Sequence, residues 1–391
     1  MTRPDYRLIP PPRTPPLKGE GGTATSTPPS PLRGGVRGGG ELDRLARWLA
    51  ACVIILLTLA TPAYAVNAEA ILAEKPPKLL SEFGFFADGP KQKPADGVMP
   101  YDLNTALFSD RAEKFRFVFV PAGQSSTYVA DEAFEFPAGS ALIKTFAFPA
   151  DLSKSDENIR LIETRVMLRR ESGWFAVAYV WNADQTDAEL KIAGAKVAVE
   201  TILDGHPLTI NYAVPNRNQC KGCHDFNGEI TPLGPKARNL NKTYAYADGE
   251  ANQLARWTSA GILSGAPGPA AAPKVPDWHD AAAPIEARAR AWLDVNCAHC
   301  HRREGPASNS GLFLNFTEQN PVALGVGKRP VAAGRGAGDR AFDIDPGNPD
   351  NSILLYRVES TEPGVMMPEL GRTLADPAAV DLLRAWIARM R

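Results

Sequence analysis

The chain has 391 residues, 44% hydrophobic and 22% charged, with a formal net charge of −1. Without residues 1–65, which hold eight Lys/Arg and four Asp/Glu, 35 basic residues face 40 acidic ones, a net charge of −5. A mildly acidic chain argues against a nucleic-acid partner, and the lack of any long charge block argues against a polyanionic or membrane-surface partner.

Residues 1–40 are rich in Pro and Gly and lack apolar periodicity, so they read as disordered low-complexity sequence, in keeping with a start assigned too far upstream. Residues 41–65 read as a signal peptide: Arg44 and Arg47, then twelve apolar residues from Leu49 to Ala60, then Ala63-Tyr64-Ala65. Such a run is too short for a membrane span, which needs roughly 20 residues. Cleavage after Ala65 is expected, leaving 326 residues, a length that suits two or three domains. Leu49-Ala50-Ala51-Cys52 has the form of a lipoprotein box. The apolar core follows Cys52 rather than preceding it, so lipidation is the alternative and not the expectation.

Residues 80–215 read as β. Phe115, Phe117 and Phe119 alternate, and runs such as IRLIETRVMLRR and GWFAVAYVW are short, β-branched or aromatic, and bounded by turn residues. An antiparallel sandwich or barrel-like sheet is expected there. Residues 216–275 form a second unit with one helix, NQLARWTSAGIL, and end in the Pro/Ala/Gly stretch Gly265–Pro276, which reads as a linker. Residues 283–391 read as a third unit with helices at PIEARARAWLDVN and NSILLYRVE. Its last helix takes Asp376 as N-cap and Pro377 at the first position.

Four of the five cysteines fall in two copies of one pattern: Cys220-Lys221-Gly222-Cys223-His224 and Cys297-Ala298-His299-Cys300-His301. Cys-x-x-Cys-His is the attachment signature of c-type haem. Two thiols three positions apart can each add to a vinyl group of the porphyrin. The next imidazole then lies under the iron. A zinc site and a redox dithiol are the alternatives, but neither needs a histidine directly after the second cysteine. Two haem c groups are therefore expected, on Cys220 and Cys223 and on Cys297 and Cys300, with His224 and His301 as proximal ligands.

From 283 onward the chain resembles class I cytochrome c, in which a helix ends at the haem motif and a late methionine is the distal ligand. Cys297, Cys300 and His301 match the attachment residues, and Met367 in Val365-Met366-Met367-Pro368-Glu369-Leu370-Gly371 matches the distal-ligand loop, with Met366 adjacent. The whole chain after residue 65 also resembles dihaem c-type cytochromes with a β-rich N-terminal domain. PYDLNTALFSD, GWFAVAYVWN, PNRNQCKGCH, LGPKARNLN and ARAWLDVNCAHCH carry that likeness. These resemblances imply an α+β multidomain chain: an N-terminal antiparallel β domain followed by two mainly α-helical, cytochrome c-like haem domains.

The first motif departs from the class I pattern, because no methionine lies between Cys223 and Met366. Met167 and His279 are the leading candidates for its sixth ligand, Met99 and His206 lesser ones, and an open iron the remaining option. His299 is expected to face solvent. The functional expectation is a periplasmic electron-transfer protein with an unidentified redox partner protein. The competing one is a peroxidase-like dihaem enzyme with an open first haem.

Overall fold

The computed structural model describes residues 65–332 and 334–391. The low-complexity stretch 1–40, the signal sequence expected over 41–65 (Ala65 apart) and Cys52 lie outside the described residues. The described residues belong to one compact unit, Tyr64–Arg391.

Its centre is a six-stranded antiparallel sheet built in sequence order. The strands are β1 (Val98–Tyr101), β2 (Glu113–Phe119), β3 (Ala141–Phe148), β4 (Arg160–Arg170), β5 (Gly173–Trp181) and β6 (Ala188–Leu190). Side chains alternate between faces along each strand, so the register sorts the sequence into two surfaces. One surface carries Phe117, Ile143, Val166 and Val177 in a cross-strand row. Helix α1 (Ala68–Leu72) and the turn at Leu80–Phe83 cover it, burying Ile71, Phe83 and Phe85. The other surface carries Val118, Leu142, Met167 and Ala176 in one row and Arg116, Lys144, Arg165 and Ala178 in the next.

A hairpin, β7 (Ala195–Leu203) and β8 (His206–Val214), folds over one end of that second surface. Its two-residue turn is Asp204-Gly205, with φ of 50° and 80°. Both values are positive, as a type I′ turn requires, and Asp-Gly tolerates them. Val199, Ile210 and Tyr212 then pack on Phe146 and Ala178. Directly after β8 comes α2 (Arg217–His224), started by Asn216, whose side chain accepts from Gln219 N while Gln219 returns the bond to Asn216 N.

Past α2 come α3 (Ala237–Leu240) and α4 (Gln253–Ser259), and two small hairpins, Asp225–Phe226 with Glu229–Ile230 and Thr243–Tyr246 with Gly249–Asn252. The C-terminal stretch holds α5 (Ile285–Asn296), α6 (Ile353–Glu359) and α7 (Pro377–Ile387). Asp376 caps α7 by accepting from Ala379 N, and α5 packs on α7 through Trp292, Leu293, Leu383 and Ile387.

The expected pair of mainly helical haem domains is not what forms. Among the described residues the seven helices run from 4 to 12 residues, and strands account for more of the regular structure. Among the described residues no α-helix lies between Asn296 and Ile353. That stretch is punctuated by glycines at positive φ, including Gly311, Gly325, Gly327 and Gly347, a conformation that ends helices. The Gly265–Pro276 stretch is also tied down: Asn241 Nδ2 donates to the carbonyls of Pro269 and Ala272 at 2.9 and 3.1 Å, and Val275 is buried.

Candidate functional site

Each Cys-x-x-Cys-His motif lines a cavity of its own. The first motif's Cys220, Cys223 and His224 stand in the wall of a cavity of about 960 Å³, between the sheet and the C-terminal stretch. The second motif's Cys297, Cys300 and His301 line a cavity of about 380 Å³. All four cysteines are free thiols, with Cys220 and Cys297 buried.

Both motif histidines have one ring nitrogen engaged. His224 Nδ1 lies 2.8 Å from the carbonyl of Thr231. A carbonyl only accepts, so Nδ1 carries the proton and Nε2 holds the free lone pair. His301 Nδ1 lies 3.3 Å from Ser310 Oγ, whose own proton goes to the Ala307 carbonyl at 2.7 Å. The hydroxyl therefore accepts from His301, and again Nε2 is left free. Burial pushes both imidazoles down to about 4, so both are neutral at physiological pH. A neutral imidazole anchored through Nδ1 is the form that binds a metal through Nε2.

The two motifs touch, although 77 positions separate Cys220 from Cys297. Cys300 Sγ lies 3.7 Å from the Gly222 carbonyl. A hydrogen bond from Cys300, reinforced by His299, holds the Cys223 thiol below its ordinary range against the opposing effect of burial. Cys223, Asn296, His299 and Met367 line both cavities, which therefore adjoin.

No family model, curated protein or solved structure matches this chain. Its chemistry rests on the site itself. Among the described residues no three His, Cys, Asp or Glu side chains gather as a protein-only metal centre would need. A porphyrin brings four nitrogens of its own, so His224, His301 and Met367, each in a cavity wall, are the residues that would hold its iron. Arg116 and Trp292, which line the larger cavity, each keep a buried donor, Nη2 and Nε1, with no hydrogen-bond acceptor in the protein.

The remaining expected residues are placed unevenly. Met167 lies in the larger cavity's wall, on the same sheet surface as Arg165 and packed with Cys220. Met367 lines both cavities, whereas Met366 lines neither. The Met367 loop is pinned by Arg372, whose Nη2 donates to the carbonyls of Ser360 and Met367 at 2.8 Å each. His279 is exposed, its ring tilted 35° to that of Trp278 with centroids 3.7 Å apart, and lines neither cavity. His206 is exposed at the hairpin turn, and Met99 packs at the edge of the core around Trp257. His299 does not face solvent as expected. It is half-buried between the motifs, with Nδ1 unpartnered.

Two features escaped sequence reading. One is the position of His299. The other is the row Arg116–Lys144–Arg165, whose members show up in sequence only as charged residues at alternating strand positions.

Proposed function

We propose that the chain is an exported, periplasmic dihaem c-type cytochrome that passes electrons between two covalently attached haems and a redox partner protein. The observation carrying this reading is the junction of the two motifs. Cys223, His299, Asn296 and Met367 belong to both cavities, and Gly222 and Cys300 are in contact. Short separation between redox groups is what a relay needs.

In this reading Cys220 and Cys223 hold one haem and Cys297 and Cys300 the other, with His224 and His301 as proximal ligands through Nε2. Met367 is the distal ligand of the second haem, and Met167 the candidate for the first. His279 is set aside because it lines neither cavity. Bound haem supplies reversible one-electron chemistry at iron. The chain fixes the imidazole tautomers, excludes water with the Val118–Leu142–Met167–Ala176 row, and keeps the two sites adjacent. Electrons arrive from and leave to a partner protein. Among the described residues no helix is long and apolar enough to cross a membrane.

The size of the first cavity, about 960 Å³ against about 380 Å³, supports a second reading in which the first haem keeps an open position and binds a small substrate. The ferric protein's ultraviolet–visible and EPR spectra separate the two. Two low-spin haems support electron transfer, and one high-spin haem supports the enzyme. A protein from exporting cells without haem absorbance overturns both.

A further inference from the structure

We infer that the Arg116–Lys144–Arg165 row is a carboxylate-binding site in the wall of the larger cavity. The three residues sit directly opposite one another on adjacent strands, Arg116 facing Lys144 and Lys144 facing Arg165, and all three line that cavity. Like charges in direct cross-strand register destabilise a sheet unless an anion lies among them.

The fold supplies part of the counter-charge, and in the middle the Lys144 ammonium has only the Phe146 ring, 4.7 Å to its centroid, and the field of Glu163. Arg116 Nη1 pairs with Asp102 at 2.9 Å, but Asp102 also serves Lys242 at 2.9 Å. Arg165 makes a two-pronged pair with Glu163 at 2.7 and 2.9 Å, and Tyr212 donates to the same carboxylate. Lys114, one row further on, gives its ammonium to the Ala112 carbonyl. Among the described residues Lys144 forms no ion pair. Arg116 is only 5% exposed, yet its Nη2 has no acceptor. Burial and the neighbouring cations depress the Lys144 ammonium well below its ordinary range, so the neutral amine is favoured until an anion enters beside it and restores its proton.

The adjacent row, Val118–Leu142–Met167–Ala176, is apolar and lies ~6.6 Å away, two residues along the strand. An apolar body with carboxylates at one edge matches the two rows together. That chemistry has two sources: the propionates of a haem on Cys220 and Cys223, which rests on the proposed function, or a free carboxylic acid sharing the larger cavity.

The test uses the full protein as exported, with haem content counted first, and the variant Lys144→Met. Lys144→Gln takes its place if Lys144→Met does not fold. If propionates occupy the row, the variant lowers the midpoint potential of one haem, because a cation that favours the reduced state is gone. Calorimetry with succinate then detects no site in the unmodified protein. If a free acid occupies it, succinate binds at one site, and the variant weakens that binding about tenfold or more. Should the protein carry no haem, the succinate titration alone decides, so loss of the haem reading and loss of this site stay separate. Unchanged potentials together with no succinate binding overturn the proposal.

Discussion

Replacing Asp294 by Asn removes the charge that balances Arg238 in the interior. Arg238 follows the first motif on α3, and Asp294 precedes the second on α5. Their side chains are 4% and 7% exposed. Arg238 donates from Nε at 3.1 Å and twice from Nη2 at 2.9 Å, and Asp294 Oδ1 also accepts from Phe316 N at 2.9 Å. In the Asn variant the guanidinium stays buried and charged while an amide turns donors toward donors. Breaking a buried pair from one side costs about 3–5 kcal/mol. For a chain of this size each kcal/mol shifts the melting temperature by about 2 °C, so a fall on the order of 6–10 °C is expected. Circular dichroism melts of the haem-loaded protein measure it. The paired change Arg238→Met with Asp294→Leu removes both charges and is expected to recover most of the loss. An Asp294→Asn protein melting within about 2 °C of the parent refutes the reasoning, because it means the pair is not the buried tie between the two stretches.

Acid sensitivity follows from two other carboxylates. Burial alone would raise Asp102 and Glu132, but Arg116 and Lys242 beside the first, and Arg302 and Lys236 beside the second, hold both below their ordinary values of 3.8 and 4.5. A carboxylate depressed in the fold contributes stability above its unfolded value, and that contribution is lost as pH falls through the folded one. The melting temperature should begin to fall near pH 6.5, where the unfolded chain protonates His224 and His301 and the fold does not, and drop further below about 4 as the two carboxylates protonate. Asp102→Asn combined with Glu132→Gln should flatten that limb, and an unaltered limb contradicts the assignment. Met367→Ala should abolish the sulfur–iron charge-transfer band of the ferric protein and lower one haem potential, while Met366→Ala should leave both intact. The reverse pattern moves the distal ligand by one residue.

The two Cys-x-x-Cys-His motifs were legible because their residue types stand at fixed spacing, and the structure sets each of them in a cavity wall. Local rules also placed the α7 cap at Asp376 and the strands around IRLIETRVMLRR and GWFAVAYVW. Met167 was rightly assigned to the polar face of its strand, since alternation alone decides that. What depended on partners was not legible. The register that lines up Arg116, Lys144 and Arg165 is set by three strands at once. The contact of Gly222 with Cys300 joins segments far apart in sequence. His279 lies outside both cavities because Trp278 takes the buried position and leaves the histidine ring exposed. Helical content was overestimated because the two haem domains were taken as mainly helical from resemblance, and the NQLARWTSAGIL helix was carried past Gly261, which takes positive φ.

The central claim is that both motifs hold covalent haem, and the pyridine haemochrome of protein recovered from exporting cells tests it most directly. The account predicts two haems per chain, one on Cys220 and Cys223 and one on Cys297 and Cys300, both retained through acidic acetone extraction. Haem that leaves with the solvent, or a chain that carries none, contradicts it.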